Sequence, residues 1–266
     1  MTIPGEIEDA STWTFVRSRR RGRQKPPSPP PLVTSWKTAT TPSSSSRTTS
    51  DLAAENDRLR SAWEQTSCCA SLRRIVSSTA CRVRHAVCLG IGTFDPDDGG
   101  WQTRRTSFLQ LAAFSVMVEE LAHIYMRLEK ISGSPIQCVF QEPLFTPSDR
   151  EFLAGLGHHV VDSPEAFRHI SHDSFLFGVH LYRPVYAMAL DAELPVVFVG
   201  TGWHVWESAS LSQIEDLHNL QAMDRSYAKA AFPQDPPSTA FSGTTIYWRP
   251  TKVTSPTAIC SVGPQG

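Results

Sequence analysis

The feature that most constrains the fold is an alternation of short apolar runs with helix-length segments between residues 82 and 221. Five runs have the length and composition of buried strands: Val83–Leu89, Ile136–Phe140, His159–Val161, Ser174–Val179 and Pro195–Gly200. Short apolar runs of this kind are typical of parallel strands that are covered on both faces. Because successive parallel strands need crossover connections, the alternation predicts helices on both faces of one mostly parallel sheet.

Helical periodicity accounts for the segments before and between these strands. The longest pattern starts at about Thr103 and places apolar residues of Leu109–Leu128 on one face. Asp51–Arg74 is predicted as a leading helix with Asp51 as its N-cap. Further helices are predicted after Thr146 and Ser163, and over Arg183–Leu190 and Glu207–Met223. Together these segments predict a Rossmann-like, three-layer open α/β sheet of about five strands.

The domain is predicted to span residues 51–250, with its core at residues 82–221. Near its end, Phe241–Trp248 is short and rich in β-forming residues, which predicts one additional edge strand. The first fifty residues contain proline-rich and serine-rich tracts at 26–31 and 41–46. Such a composition buries too little apolar surface to fold, so residues 1–50 are predicted to be a disordered tail. Residues 251–266 are predicted to be a second one.

A dense patch inside the first tail, Trp13–Val16, precedes a basic run at Arg17–Lys25. A run of like charges is commonly a solvated arm. The alternatives are a nuclear-import signal and an arm that binds phosphates without sequence preference. Apart from this run, the net charge of -1 argues against a nucleic-acid partner.

Cellular location is predicted to be the cytoplasm, the nucleus or both. No apolar run approaches the roughly 20 residues of a membrane span, so no membrane partner is expected. The acidic N-terminus lacks the apolar stretch of a secretory signal. The six cysteines are scattered and include no Cys-x-x-Cys pair, which predicts free thiols and no zinc ribbon.

A small-molecule site, if there is one, is predicted at one edge of the sheet. In open α/β sheets, ligands bind beyond the carboxyl ends of the strands, near the point where the strand order reverses. The candidates are the residues that follow the predicted strands: Gly90, Gly92, Thr93, Glu142, His180, Thr201, Trp203 and His204.

The turn Gly90-Ile91-Gly92 resembles the start of a dinucleotide fingerprint, in which glycines let the backbone approach a phosphate. Asp95 stands at the third glycine position and the next helix starts late, which argues against a tight pyrophosphate cradle. A looser turn with Glu142 as acceptor for ribose hydroxyls is similar to methyltransferase-like folds. The alternative is that the glycines only relieve crowding where the strand ends.

Two histidines, His180 and His204, could act as acid, base or ligand near the same edge. Together with Cys88 they could form a zinc or haem site. No His-Glu-x-x-His or comparable spacing supports it, so no metal site is predicted. His158 is predicted to cap helix carbonyls, and Cys88 and Cys138 to be small buried apolar residues.

Several segments together resemble the SRR-like domain family, which is named for Sensitivity to Red light Reduced. The similarity lies in Trp13–Val16 with the basic run, Cys88–Gly92, Arg105–Ala112, Gln141–Thr146, Leu156-Gly157, His180 and Phe241–Trp248. Glu142 stands where the family usually has aspartate, and Val179-His180-Leu181 replaces a common Pro-His-Cys. The resemblance implies a regulatory protein in circadian-clock or light signalling, with haem-related and cytoskeletal phenotypes elsewhere, and no established reaction or cofactor.

Three functions follow from these observations. The first is a non-catalytic regulatory or adaptor protein, linked to circadian or stress signalling, whose protein partners the sequence does not identify. The second is an enzyme of methyltransferase-like type that binds a nucleotide or adenosyl cofactor over Gly90–Gly92 and Glu142. The third is a haem-responsive sensor that uses His180 or His204.

Overall fold

A computed structural model describes residues 47–97, 99–129, 136–209, 214–236 and 238–250 of the chain. Both predicted tails, apart from residues 47–50, and the basic run lie outside the described residues. The strands are β1 (His85–Leu89), β2 (Gln137–Gln141), β3 (His159–Val160), β4 (Ser174–Gly178), β5 (Val197–Thr201), β6 (Ala228–Ala231) and β7 (Thr244–Trp248). The α-helices are α1 (Thr49–Glu64), α2 (Ser67–Ser78), α3 (Trp101–Glu129), α4 (Pro147–Gly155), α5 (Arg183–Ala189), α6 (Trp203–Ser208) and α7 (His218–Ser226).

The seven strands form one sheet in the order β3-β2-β1-β4-β5-β7-β6. β1 to β5 pair in parallel, whereas β7 is antiparallel to both of its neighbours, β5 and β6. The first five strands follow the 3-2-1-4-5 order of the Rossmann sheet, and the strand order reverses between β1 and β4. The predicted Rossmann-like α/β class with a mostly parallel sheet is therefore confirmed.

Two cores lie on opposite faces of this sheet, because successive residues of a strand point to opposite sides. On the face covered by α1, α2 and α3, Phe114 of α3 stacks on Phe175 of β4 at 5.6 Å between ring centroids. On the other face, Phe198 of β5 packs against Tyr186 of α5 and Tyr247 of β7. The molecule thus has the three layers that the sequence predicts.

The C-terminal strand was predicted at the sheet edge, and this is wrong. β7 lies between β5 and β6, so that Trp248 pairs with Val197 on one side and Ala228 on the other. The edge strand on this side of the sheet is β6, which was not predicted from the sequence. Its sequence Ala-Lys-Ala-Ala has no β-branched or aromatic residue, so only pairing with β7 makes it a strand.

The single leading helix predicted over Asp51–Arg74 is two helices, α1 and α2. Thr66 caps α2 by accepting a hydrogen bond from the Cys69 amide at 3.2 Å, which restarts the helix after a two-residue break. The N-cap of α1 is Thr48 rather than Asp51. Asp51 occupies the third helical position and accepts from the Thr48 amide at 3.0 Å, so the two residues form a capping box.

Three other helix predictions also need correction. The long helix α3 begins at Trp101 rather than Thr103, and the helix predicted after Ser163 is a 3-10 turn at Glu165–His169. The segment predicted as one helix over Glu207–Met223 contains the end of α6, a 3-10 turn at Ile214–Leu217 and most of α7. The apolar spacing of this segment is helical throughout although it contains several short helices, so periodicity does not locate their ends.

By length and composition, helix α3 is long and apolar enough to cross a membrane, with a mean hydropathy of 1.2 over its most apolar stretch of 18 residues. It is the one such helix among the described residues, and the sequence analysis expected none. However, 67% of that stretch is buried inside the fold, where Phe108, Phe114 and Met117 contact the core. A helix that covers a sheet passes the same test, so this is weak support for a membrane span.

Candidate functional site

The reversal of strand order between β1 and β4 leaves a cleft at the carboxyl edge of the sheet. Its volume is about 320 Å³. The turn after β1, the end of β4 and the first turns of α3 surround it, with Gly90, Ile91, Gly92, Gln102, Thr103, Thr106, Ser107, Gln110, Val179 and His180 as its lining. The structure thus brings three of the predicted site residues together, namely Gly90, Gly92 and His180. Their role in binding a ligand stays a prediction.

The glycine turn at this cleft has a backbone that favours glycine. Gly90 and Gly92 have φ angles of +66° and +81°, in the left-handed region. A Cβ atom on Gly90 would lie 2.2 Å from Cδ2 of Leu181. The amide of Gly90 donates to the Gln141 carbonyl at 3.0 Å, and that of Gly92 donates to Oε2 of Glu142 at 2.9 Å. Because both amides already have acceptors within the protein, they do not form a phosphate cradle.

Glu142, the predicted ribose acceptor, is buried at 8% exposure and does not line the cleft. Its two carboxylate oxygens accept hydrogen bonds from the amides of Gly92 and Leu144, each at 2.9 Å. The side chain therefore ties the turn after β1 to the turn after β2. A ribose hydroxyl would have to share these oxygens with the two amides.

Thr93 also points into the framework instead of the cleft. Its hydroxyl donates to Oδ2 of Asp149 at 2.6 Å. Asp149 is fully buried in the first turn of α4, and it also accepts from the amides of Phe94 at 3.2 Å and Thr146 at 2.9 Å. The sequence predicted the helix start at Thr146. It gave no sign that this carboxylate also holds the loop after β1.

The three candidates at the end of β5 and just after it lie outside the cleft, and two buried tyrosines bind the backbone of two of them. The Thr201 amide donates to the Tyr186 hydroxyl at 2.8 Å, and that hydroxyl donates to the Gly178 carbonyl. The Trp203 amide donates to the Tyr247 hydroxyl at 2.9 Å. Burial raises the pKa of both phenols, so both hydroxyls remain neutral. The third candidate, His204, is exposed on α6. Sequence reasoning missed both tyrosines, whose apolar surroundings indicate core packing.

His180 is the candidate whose ring borders the cleft. Its backbone has a φ of +58°, a conformation that few residues other than glycine adopt. Its Nε2 lies 2.7 Å from the Ser242 carbonyl, so this nitrogen carries the proton and donates. The contact joins the exit of β4 to the turn before β7. In the neutral tautomer, Nδ1 is then left as an acceptor.

Neutral side chains from the first turns of α3 supply the rest of the cleft, and the sequence analysis did not select them. Thr103, Thr106, Ser107 and Gln110 recur at three-to-four spacing, which places them on one face of the helix. Gln110 is buried and donates from Nε2 to the Ala240 carbonyl at 3.2 Å. The signal was a polar stripe on an otherwise apolar helix. Such a cleft can form neutral hydrogen bonds with a ligand.

The remaining titratable candidates are buried or half-buried. Cys88 and Cys138 lie inside β1 and β2, as predicted, and burial raises the pKa of both thiols, that of Cys138 to about 12. His158 does not cap α4 with its ring: its backbone amide donates to the Leu153 carbonyl, while the ring stacks on Phe140. Among the described residues, no group of three or more His, Cys, Asp or Glu side chains could hold a metal ion.

Comparison with known proteins identifies a family. A family model described as the SRR1 domain matches residues 59–248. No curated protein matches the chain. Among solved structures, a proposed O-methyltransferase from Klebsiella pneumoniae is 13% identical with a TM-score of 0.41, covering 79% of this chain and 93% of its own. A methyltransferase from Geobacter sulfurreducens is 9% identical with a TM-score of 0.36, covering 80% and 92%.

Proposed function

This chain belongs to the SRR1-domain family, and on that premise we propose that it is a non-catalytic regulatory or adaptor protein. The observation that carries the proposal is the bonding of Glu142. Both oxygens of this carboxylate, which stands beside the glycine turn, accept from backbone amides. An acid, base or ribose acceptor needs oxygens that can exchange partners with a substrate. A carboxylate fixed on two amides serves the framework instead.

The same pattern extends around the carboxyl edge of the sheet. The Thr93 hydroxyl binds buried Asp149, and the Thr201 amide binds Tyr186. Burial raises the pKa of the Cys88 thiol, which keeps it from acting as a thiolate nucleophile. The polar groups that could carry chemistry therefore hold loops together, which is what a scaffold requires.

Exposed apolar side chains at this edge support contact with a protein partner. Leu144, which follows β2, is 53% exposed, and Tyr182, which follows β4, is 77% exposed. Tyrosine and other large apolar side chains are enriched where proteins bind one another. We propose that this edge contacts the partner, that the protein works in the cytoplasm or nucleus, and that it serves circadian or stress signalling. The signalling context rests on the family resemblance.

Partner contact is tested by affinity capture with quantitative mass spectrometry on two matched double variants. Replacing Leu144 and Tyr182 by serine removes the exposed side chains at the carboxyl edge. Replacing Leu156 and Met188, which are 42% and 47% exposed near the ends of α4 and α5, removes comparable side chains elsewhere. The expected result is that proteins captured by the wild type are lost only with the first variant. Equal capture by both variants would contradict the proposed contact edge.

A second candidate is an enzyme that binds an adenosyl or nucleotide cofactor. One observation favours it: the cleft between Gly90–Gly92 and Val179-His180 lies where the strand order reverses, which is where sheets of this class bind ligands. The haem-responsive alternative has less support, because His180 is bonded to Ser242 and His204 does not line the same cleft.

Thermal unfolding of the purified chain separates these functions. A ligand at 100 times its Kd stabilises the native state by about 2.7 kcal/mol, which raises the Tm of a domain of this size by about 5–10 °C. If the protein is regulatory and non-catalytic, its Tm should not change with S-adenosylmethionine, S-adenosylhomocysteine, nicotinamide dinucleotides or haem. A rise of several degrees with an adenosyl compound would favour the enzyme, and a rise with haem would favour the sensor.

A further inference from the structure

A second cleft adjoins the first and belongs to neither proposed function. It lies between α1, the start of α2, the first turns of α3 and the residues 234–236 and 238–241, and its volume is about 340 Å³. This is at the lower end of the range for small-molecule sites. Gln102 and Thr106 line both clefts, so the two cavities are neighbours at the start of α3.

The outer wall of the second cleft is the proline-rich segment between β6 and β7, and several contacts fix it. The Cys68 thiol donates to the Pro233 carbonyl at 2.9 Å, and the Ser67 hydroxyl donates to Oδ1 of Asp235 at 3.2 Å. Further along, the Phe241 ring stacks on Phe232 at 4.2 Å between centroids. Because the wall is anchored at both ends, the cavity is formed before any ligand arrives.

Most of the side chains that line this cavity are apolar. Leu59 and Trp63 of α1, Trp101 and Leu109 of α3, and Phe241 line it. Trp101 is 66% exposed, which is unusual for so large an apolar side chain. The two indoles and one phenyl ring favour an aromatic ligand, because flat rings pack well against each other.

Two polar groups in the cleft have no partner among the described residues. The Arg105 guanidinium, which lies one helical turn after Trp101, makes no hydrogen bond or ion pair there. The second carboxylate oxygen of Asp235, Oδ2, is buried without a hydrogen bond. Beside its aromatic walls, the cleft therefore has one cation without a described partner, and it is lined by the Asp235 carboxylate, whose buried Oδ2 has no described donor. This contrasts with the carboxylates of the neighbouring site, whose oxygens are all bonded to donors.

We propose that this cleft binds a small aromatic anion that also carries an N–H or O–H donor. The anionic group would pair with Arg105, the donor would face the Asp235 carboxylate, and the rings would lie against Trp63 and Trp101. The donor is required because, without it, the Asp235 carboxylate would repel the ligand's charge. This assignment does not depend on the adaptor function and stands or falls separately from it.

Two fluorescent probes test the charge requirement on the full chain. 8-Anilinonaphthalene-1-sulfonate has aromatic rings, one N–H and one sulfonate, whereas N-phenyl-1-naphthylamine has the same rings and N–H but no charge. Arg105→Gln is expected to weaken binding of the sulfonate about tenfold, because charge-assisted hydrogen bonds are stronger than neutral ones. The same variant is expected to bind the neutral amine as tightly as the wild type does. Trp101→Ala is expected to weaken binding of both probes about tenfold.

Two control variants each remove an exposed side chain elsewhere on the surface. Arg127→Gln removes an exposed arginine near the other end of α3, and Leu156→Ala removes an exposed apolar side chain outside this cleft; neither should change binding. The proposal is overturned if Arg105→Gln binds the sulfonate as tightly as Arg127→Gln does. It is equally overturned if both probes lose affinity to the same degree in Arg105→Gln. Unchanged thermal unfolding of all four variants checks that they remain folded.

Discussion

Two clefts meet at the first turns of α3, and they differ in how their polar groups are used. Beside the cleft at the strand-order reversal, the Glu142 carboxylate and the Thr93 hydroxyl are both bonded within the protein. In the neighbouring cleft, Arg105 and one oxygen of Asp235 have no partner among the described residues. The position of a crevice in a Rossmann-like sheet follows from strand order, whereas the availability of its side chains depends on loop contacts. Position therefore does not establish chemistry.

The largest expected effect is at Asp149, which anchors the framework side of this comparison. Asp149→Ala would leave the Thr93 hydroxyl and the amides of Phe94 and Thr146 without their acceptor. Leaving several buried donors unpaired costs about 3–5 kcal/mol, so the Tm should fall by about 6–20 °C. Urea and thermal unfolding measure this loss. Asp97→Ala, which removes an exposed carboxylate from the same loop, should leave stability unchanged, and equal stability of the two variants would contradict the framework role.

Gly90 gives the next effect and tests how tightly the turn is packed. Gly90→Ala combines a left-handed backbone with a Cβ 2.2 Å from the Leu181 side chain. Gly99 has almost the same φ, +65°, but an added Cβ would meet nothing within 4 Å. Gly99→Ala should therefore show only the backbone cost of about 1 kcal/mol, and Gly90→Ala about 1–3 kcal/mol more. Equal losses of unfolding free energy would mean that Leu181 moves aside freely.

The smallest effect is a pH dependence from His158. Burial lowers its pKa from 6.5 to about 4. Because the folded-state pKa lies below the unfolded one, the contribution to stability is present above pH 6.5 and is lost as the pH falls toward 4. His158→Phe keeps a ring on Phe140 and should reduce the decline in unfolding free energy between pH 7.5 and 5. His204→Phe, at an exposed position, should keep the wild-type profile, and an unchanged slope in His158→Phe would refute the assignment.

Much of the fold could be predicted from the sequence, because the core strands are continuous apolar runs with clear ends. The five parallel strands and the long helix α3 carry such patterns. β6 could not be predicted, since its Ala-Lys-Ala-Ala sequence becomes a strand only by pairing with β7. The break between α1 and α2 at Thr66 was also missed, because helical spacing continues across it.

The candidate site was less predictable, and the reason is the direction of side chains. Strand order correctly brought Gly90, Gly92 and His180 to one cleft. The sequence could not show that Glu142 and Thr93 turn inward, since that depends on amides and carboxylates from distant loops. Asp149 lies 56 residues from Thr93, and no local pattern links them. Arg105 was part of the family resemblance but not a site candidate, because its lack of a partner among the described residues is visible only in three dimensions.

The free energy of unfolding of Glu142→Gln tests the central claim most directly. If the carboxylate is a framework group, an amide in its place loses one acceptor and sets an N–H donor against the amide of Gly92 or Leu144. The variant should lose about 1–3 kcal/mol in urea unfolding without any ligand. Residues kept for activity often do the opposite, and their replacement stabilises the protein. A Glu142→Gln variant that is as stable as the wild type, or more so, would contradict the framework role.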